Sequence, residues 1–132
     1  MMLTTYQALA NIAESEFDNI ITRTRFVGGS QISPDKLRLD LRDRSFIDIW
    51  LSSDGDYAYH WERRRQTGEV YRWDNAPHHP HVSTFPDHFH KGDEHTIAES
   101  NLNTGQENRL RDVLAFVRQH MQPKAVTHTI DE

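Results

Sequence analysis

The amino-acid sequence predicts an α+β domain: an antiparallel β-meander of about five strands with a helix at each end, both helices packed on one face of the sheet. Alternating apolar and polar residues with short turns between them fill residues 20–73, and apolar residues at helical spacing occur near both ends of the chain. A chain of 132 residues suits a single domain. We divide it into an N-terminal helix (1–21), the sheet (20–73), a histidine-rich loop (74–103), a C-terminal helix (104–122) and a tail (123–132).

The first helix is predicted by apolar residues that recur three or four positions apart. Tyr6, Leu9, Ala13 and Phe17 follow this spacing, so one side of the helix is apolar. The β-branched stretch that follows, residues 20–27, favours a strand instead.

The meander is predicted by three alternating runs and the turns around them. Leucines alternate with charged residues in 37–42, and the same period of two continues in 47–51 and 57–61. The dipeptide at 54–55, Asp-Gly, is typical of a tight hairpin turn because both residues tolerate a positive φ. A last strand, 69–73, follows a turn at 66–68.

The second helix is predicted near the end of the chain by an apolar stripe and a proline. Its helical spacing is carried by five residues: Leu110, Val113, Leu114, Val117 and Met121. Pro123 ends the predicted helix because proline cannot continue one.

Composition limits the classes of function. The chain has no cysteine, which excludes disulfides, a thiolate nucleophile and a cysteine-ligated zinc site. No apolar stretch is long enough to cross a bilayer, so we expect no membrane contact and a cytoplasmic location. The net charge of −5 restricts any contact with RNA to a local basic surface.

The histidine-rich loop is the candidate site. Six of the nine histidines lie between residues 78 and 95, among prolines and carboxylates. Imidazoles titrate near neutral pH, so a neutral ring can accept a proton while a charged one donates. This favours a metal-independent endoribonuclease that needs no cofactor. Its predicted catalytic residues are His78, His79, His88, His90, Arg72 on phosphate and Asp74 as the group that orients a ring.

The residues that we expect to bind the RNA substrate lie mainly on the polar side of the predicted sheet. Arginine side chains grip phosphates and aromatic rings stack on bases. The candidates are Arg38, Arg42, Arg63, Arg64, Trp73 and Asn75, the last also bracing the loop. The same residues also fit a solvated surface of weak ion pairs.

Two alternatives stay open. The two His-x-His pairs favour a metal-dependent phosphodiesterase or nuclease with zinc or manganese on His79, His81, His88 and His90. A non-enzymatic protein-binding module is the other alternative, with the histidines holding the loop by hydrogen bonds.

The loop and the strands before it also resemble a known family. Tyr59-x-Trp61, the run from Tyr71 to Pro80 (YRWDNAPHHP), and the run from Thr84 to His90 (TFPDHFH) are similar to the TumE-like family of type II toxin–antitoxin proteins. Its motif positions fall on these residues: Asp74, Asn75, Pro77, His78, His79, Phe85, Pro86, His88 and His90. The sequence departs at Asp87 and Phe89, where the family more often has His and Lys.

The resemblance implies a growth-inhibiting cytoplasmic toxin that a helix-turn-helix antitoxin, encoded beside it, neutralises. It does not fix the molecular target, and RNA as the target is inferred from the histidines and arginines. A homodimer is left open.

Overall fold

A computed structural model gives the fold and describes residues 2–121. In chain order the elements are α1 (Met2–Glu16), β1 (Ile21–Val27), β2 (Lys36–Leu41), β3 (Phe46–Leu51), β4 (Tyr57–Arg63), α2 (Arg64–Thr67), β5 (Glu69–Asp74), β6 (His88–Gly92), β7 (Ile97–Glu99) and α3 (Gln106–Met121). The strands form one antiparallel sheet in the order β1 to β7, each paired with its neighbour along the chain. The predicted α+β class, with an antiparallel meander between two terminal helices, is confirmed.

Both long helices pack on the same face of the sheet. The core on this face joins the apolar stripes of α1 and α3 to the inward residues of the strands, among them Leu39, Ile47 and Trp61. The hydroxyl of Tyr6 in α1 accepts a hydrogen bond from the Leu51 N–H of β3 at 3.0 Å. The contacts therefore fix α1 against the sheet by both apolar burial and a buried hydrogen bond.

The sheet has seven strands rather than about five. The two additional strands, β6 and β7, lie in residues 74–103, for which the sequence predicted a loop. Strand β6 is mostly polar and β7 is only three residues long, so the sequence carries little apolar alternation to reveal them. Strand β6 is ordered by its pairing with β5.

The helix boundaries also differ from the prediction. The N-terminal helix α1 ends at Glu16 rather than at residue 21, and a turn leads from it into β1. The C-terminal helix α3 begins at Gln106 rather than at residue 104. The predicted tail, 123–132, and Pro123 lie outside the described residues, as does His128. No helix of residues 2–121 is long and apolar enough to cross a membrane.

The face opposite the helices carries a row of polar side chains, and we call it the polar face. Arg38, Asp48, His60, Arg72 and His90 stand directly opposite one another on β2 to β6. This row exists because inward apolar residues and outward polar residues alternate with the pleat. The register of the strands therefore places a continuous line of charged side chains and imidazoles across β2 to β6.

Candidate active site: the histidine hollow

Three imidazoles, one carboxylate and one guanidinium meet at the β5–β6 end of the polar face, and we call this place the histidine hollow. It is formed by Arg72 and Asp74 of β5, His88 and His90 of β6, and His79 of the connecting loop 75–87. The opening has a volume of about 450 Å³. The predicted convergence of histidines beside an arginine is therefore present in the structure.

Asp74 is the centre of the hydrogen bonding in the hollow. It is 5% exposed, and its Oδ2 accepts a hydrogen bond from Arg72 Nε at 2.8 Å. Its Oδ1 accepts from the Ala76 N–H at 2.9 Å and lies 3.1 Å from His88 Nε2. Burial alone would raise the pKa of Asp74, but the His90 ring, whose Nε2 lies 3.6 Å away and can donate when protonated, and hydrogen bonds from Ala76 and Arg72 hold that pKa well below its ordinary value.

The rings of His88 and His90 are each fixed by a backbone carbonyl. His88 Nδ1 lies 3.0 Å from the Pro86 carbonyl oxygen, and His90 Nδ1 lies 3.0 Å from that of Glu94. A carbonyl oxygen only accepts, so both Nδ1 atoms carry the proton. In the neutral rings the two Nε2 atoms are then lone-pair acceptors, and they lie 3.1 Å from each other.

His79 completes the cluster from the loop. Its ring centroid lies 4.7 Å from that of His88 and 5.8 Å from that of His90. Loss of hydration and then the neighbouring His88 and His90 lower the pKa of His79. A hydrogen bond to Asp74 raises the pKa of His90 against the effect of burial.

Asn75 ties the loop to the turn between β3 and β4. Its side-chain oxygen accepts from the Tyr57 N–H at 3.0 Å, and its amide group donates to the Gly55 carbonyl at 3.0 Å. The Tyr57 hydroxyl donates to Asp87 Oδ1 at 2.9 Å. Asn75 therefore anchors the start of the loop, and Asp87 anchors its end.

The two positions where the sequence departs from the TumE-like pattern lie outside the hollow. Asp87 is engaged with Tyr57, and Phe89 is buried on the helix-covered face, where it stacks on Trp73 with ring centroids 4.6 Å apart. Neither departure removes a ring from the cluster of His79, His88 and His90.

Several predicted substrate-binding residues lie elsewhere. Trp73 is 3% exposed on the helix-covered face, so it belongs to the core and offers no surface to a base. Arg42 donates to the backbone carbonyls of Asp18 and Asn19. Arg63 is buried with its guanidinium 4.2 Å from the Trp61 ring centroid. The side chains at these three positions serve packing and loop closure.

Arg38 and Arg64 do lie on or beside the polar face, but both are paired with acids. Arg38 makes a two-pronged hydrogen bond with Asp48 at 2.7 and 2.9 Å, and Arg64 bonds Glu62 at 2.8 and 3.0 Å. The guanidiniums are thus largely neutralised within the protein.

The remaining histidines divide between the hollow and its surroundings. His78 lines the opening but is exposed, and His81, also exposed, lies beside His79 with ring centroids 6.1 Å apart. Among the described residues, the imidazoles whose nitrogens lie within 4.8 Å of one another are those of His79, His88 and His90, so His81 is not part of this set.

Three further residues that are not among the predicted site residues also line the hollow: His60, Glu94 and His95. His60 Nδ1 accepts a hydrogen bond from Arg72 Nη1 at 3.3 Å, and its Nε2 donates to Glu62 Oε1 at 3.0 Å. The alternation of β4 could have revealed it, because inward Tyr59 and Trp61 require His60 to point outward. Glu94 and His95 lie in the β6–β7 turn, which no sequence signal indicated.

A second concavity of about 340 Å³ adjoins the hollow on the polar face and shares His60 and Arg72 with it. Trp50, 41% exposed, and Lys36 line its other side. The two concavities form a continuous depression across several strands.

Comparison with known proteins identifies the family. The family described as Toxin TumE matches residues 10–121. The chain therefore belongs to the TumE toxin family, and a toxin of a toxin–antitoxin system has an antitoxin as its partner. Searches of curated proteins and of solved structures found no match.

Proposed function

We propose that this TumE-family toxin stops growth by cleaving RNA at the histidine hollow. The observation that carries the proposal is the meeting of His79, His88, His90, Asp74 and Arg72 in one open depression. Clusters of titratable groups with displaced pKa values mark reactive sites more often than structural ones.

The reaction is transesterification of a phosphodiester. The ribose 2′-oxygen attacks phosphorus, the bond from phosphorus to the 5′-oxygen breaks, and the products are a 2′,3′-cyclic phosphate and a free 5′-hydroxyl. A base takes the proton of the 2′-hydroxyl, and an acid gives one to the departing 5′-oxygen. Arg72, which is 41% exposed, faces the hollow and supplies positive charge for the phosphate oxygens.

The substrate would be a single strand lying along the polar face. Trp50 offers a partly exposed ring to a base, and Lys36 stands beside it. The basic side chains of this face are balanced by Asp40, Asp48 and Glu62, so binding depends on a few local contacts rather than on a basic field.

Two versions of the chemistry follow from the sequence, one without and one with a metal. In the first, two imidazoles transfer the protons. The ring orientation weighs against it, because the Nε2 atoms of His88 and His90 face each other while their Nδ1 protons are held by carbonyls. In the second, the imidazoles of His79, His88 and His90 would hold a zinc or manganese ion, which would supply positive charge for the phosphate oxygens.

Incubation of the purified toxin with total RNA tests the proposal. We expect cleavage with cyclic phosphate ends, loss of cleavage in EDTA, and its return with zinc or manganese. Cleavage that persists in EDTA would support the metal-free version. Absence of cleavage between pH 5 and 8, with and without metal, would refute an RNA-cleaving toxin.

The matched variants are His90→Gln, which changes the cluster, and His81→Gln, which changes an exposed ring beside it. The first should lose cleavage and growth arrest, whereas the second should keep both. A His90→Gln toxin that is folded and still arrests growth would show that these rings do not carry the activity.

The ion pairing of the polar face favours one function of another class, a non-enzymatic binding module. A face whose charges are already matched has little attraction for RNA but can dock on a protein with complementary charges. Growth arrest without any RNA cleavage, together with a stable complex with a host protein, would select this function.

We further propose that the antitoxin is a helix-turn-helix protein encoded beside the toxin. Co-expression of the neighbouring gene should abolish growth arrest and give a complex on gel filtration. The same measurement on the toxin alone shows whether it forms a homodimer.

A further inference from the structure

We infer that the histidine hollow is a zinc site whose ligands are the side chains of His79, His88 and His90. The inference names the cofactor of the hollow to which the proposed function assigns RNA cleavage. It stands on the geometry of the rings, and its test reads metal binding without any RNA.

The two strand histidines share the tautomer that leaves Nε2 free for a metal ion. His88 and His90 both donate their Nδ1 proton to a carbonyl oxygen, of Pro86 and Glu94, at 3.0 Å. Metal-binding histidines almost always have this second hydrogen bond, because it fixes the ring and leaves the other nitrogen free to bind the ion. Here the arrangement occurs twice, at two positions of β6 that both lie on the polar face.

The distances between the ring nitrogens also fit a single zinc ion. Two nitrogens bound to one tetrahedral zinc ion at 2.0–2.1 Å lie about 3.3 Å apart. The two Nε2 atoms lie 3.1 Å apart, and His79, His88 and His90 each have a ring nitrogen within 4.8 Å of a ring nitrogen of the other two. His79 belongs to the connecting loop and is half-buried, so its side chain can close the remaining gap of about 1.5 Å more readily than the strand residues can.

Several lone pairs point at one place in the hollow. The Oδ1 atom of Asp74 lies 3.1 Å from His88 Nε2, so that nitrogen faces both a carboxylate and another ring acceptor. A single proton shared between His88 and His90 would satisfy two of these three atoms. A divalent cation would attract all three of these atoms. The buried negative charge of Asp74 would also offset part of the positive charge of the cation.

The ligand chemistry selects the metal. Three imidazoles with a nearby carboxylate and no thiolate suit zinc, whereas manganese prefers carboxylate and water oxygens. Three protein ligands with an open depression beyond them also match catalytic zinc sites, which keep one position for water or substrate. The hollow opens on the side of Arg72 and His78.

The experiment uses the untagged full-length protein after treatment with a chelator. Titration with Zn²⁺ should show one ion per chain by calorimetry, and Co²⁺ should give the visible absorption typical of a four-coordinate, nitrogen-rich site. The melting temperature should rise with zinc, because the ion binds only the folded chain.

Two ligand variants and one control decide the assignment. His79→Gln and His90→Gln should each weaken Zn²⁺ binding by about 100-fold or more, since losing even a partner that only orients a ligand costs 10–100-fold. His120→Gln, which changes an exposed histidine of α3 that does not line the hollow, should bind as the wild type does. His88 is almost fully buried, so its replacement is left out of the decision because it could disrupt folding.

Binding that is unchanged in both ligand variants would overturn the inference, since it would place the ion on exposed histidines. Absence of one-to-one binding at micromolar Zn²⁺ would also overturn the inference. The two Nε2 atoms of His88 and His90 would then share a proton instead of a metal ion. Tight zinc binding without RNA cleavage would keep the metal site and refute only the proposed function.

Discussion

Replacement of Asp74 by alanine should destabilise the whole domain as well as the hollow. The carboxylate is buried and holds together three parts of the fold: the end of β5, the start of the loop and strand β6. We expect the free energy of unfolding to fall by about 2–4 kcal/mol.

This magnitude is the sum of three losses. The Ala76 N–H, half-buried, loses its acceptor, which costs about 1–2 kcal/mol. Arg72 loses a hydrogen-bonded ion pair, but its side chain is 41% exposed, so water screens this loss to below about 1 kcal/mol. His88, only 2% exposed, loses the carboxylate 3.1 Å from its ring, which adds about 1 kcal/mol.

Urea denaturation at pH 7 measures the effect, with two companion variants. Asp74→Asn keeps an oxygen for the Ala76 N–H and loses only the charge, so it should cost about half as much, ~1–2 kcal/mol. Asp56→Ala changes an exposed turn carboxylate and should stay within about 0.5 kcal/mol of wild type. If Asp74→Ala cost no more than Asp56→Ala, the carboxylate would not organise the hollow as described.

Three further predictions concern the rest of the sheet. Hydrogen bonds from Arg64, opposed by burial and helped by His60, lower the pKa of Glu62 to about 2. In the unfolded chain the pKa of Glu62 is about 4.3, so its ion pair contributes ~1 kcal/mol, after screening by water, to the free energy of unfolding above that pH. This contribution is lost as the pH falls toward 2. Glu62→Gln should therefore reduce the difference between the free energies of unfolding measured in urea at pH 7 and at pH 2.5. Trp61→Ala empties a fully buried site in the core and should cost about 3–5 kcal/mol in urea, and a loss below about 1 kcal/mol would contradict the core assignment. Gly68 has a φ of +84° with open space around it, so Gly68→Ala should cost about 1 kcal/mol from backbone strain alone, and an unchanged thermal midpoint would contradict this.

The parts of the fold that the sequence predicted are those with regular apolar spacing. Strands β2 to β4 alternate cleanly, and α3 carries a continuous stripe, because each buries one side against the same core. Strand β6 gave no such signal: of its five residues, Phe89 is the one with a large apolar side chain, and polar His88 is buried in the hollow rather than in the core.

The candidate site shows the same division at the level of single residues. Composition and spacing indicated that histidines, Asp74 and Arg72 would act together, and these residues do meet. Spacing could not show that Trp73 faces inward, since this depends on the pairing of β5 with both neighbours. Nor could it separate His81 from His79, because their loop follows no repeating geometry.

By itself the sequence determined the class of fold, the two helices, the central strands and the segment in which the chemistry lies. The spacing of apolar residues is a property of a short stretch of sequence, and it can be read without knowing what the helix or strand packs against. The tertiary structure alone decided which rings converge, which nitrogen of His88 and His90 carries the proton, and that most arginines of the polar face are already paired. These depend on atoms brought together across strands β2 to β6, and no local pattern records such distances.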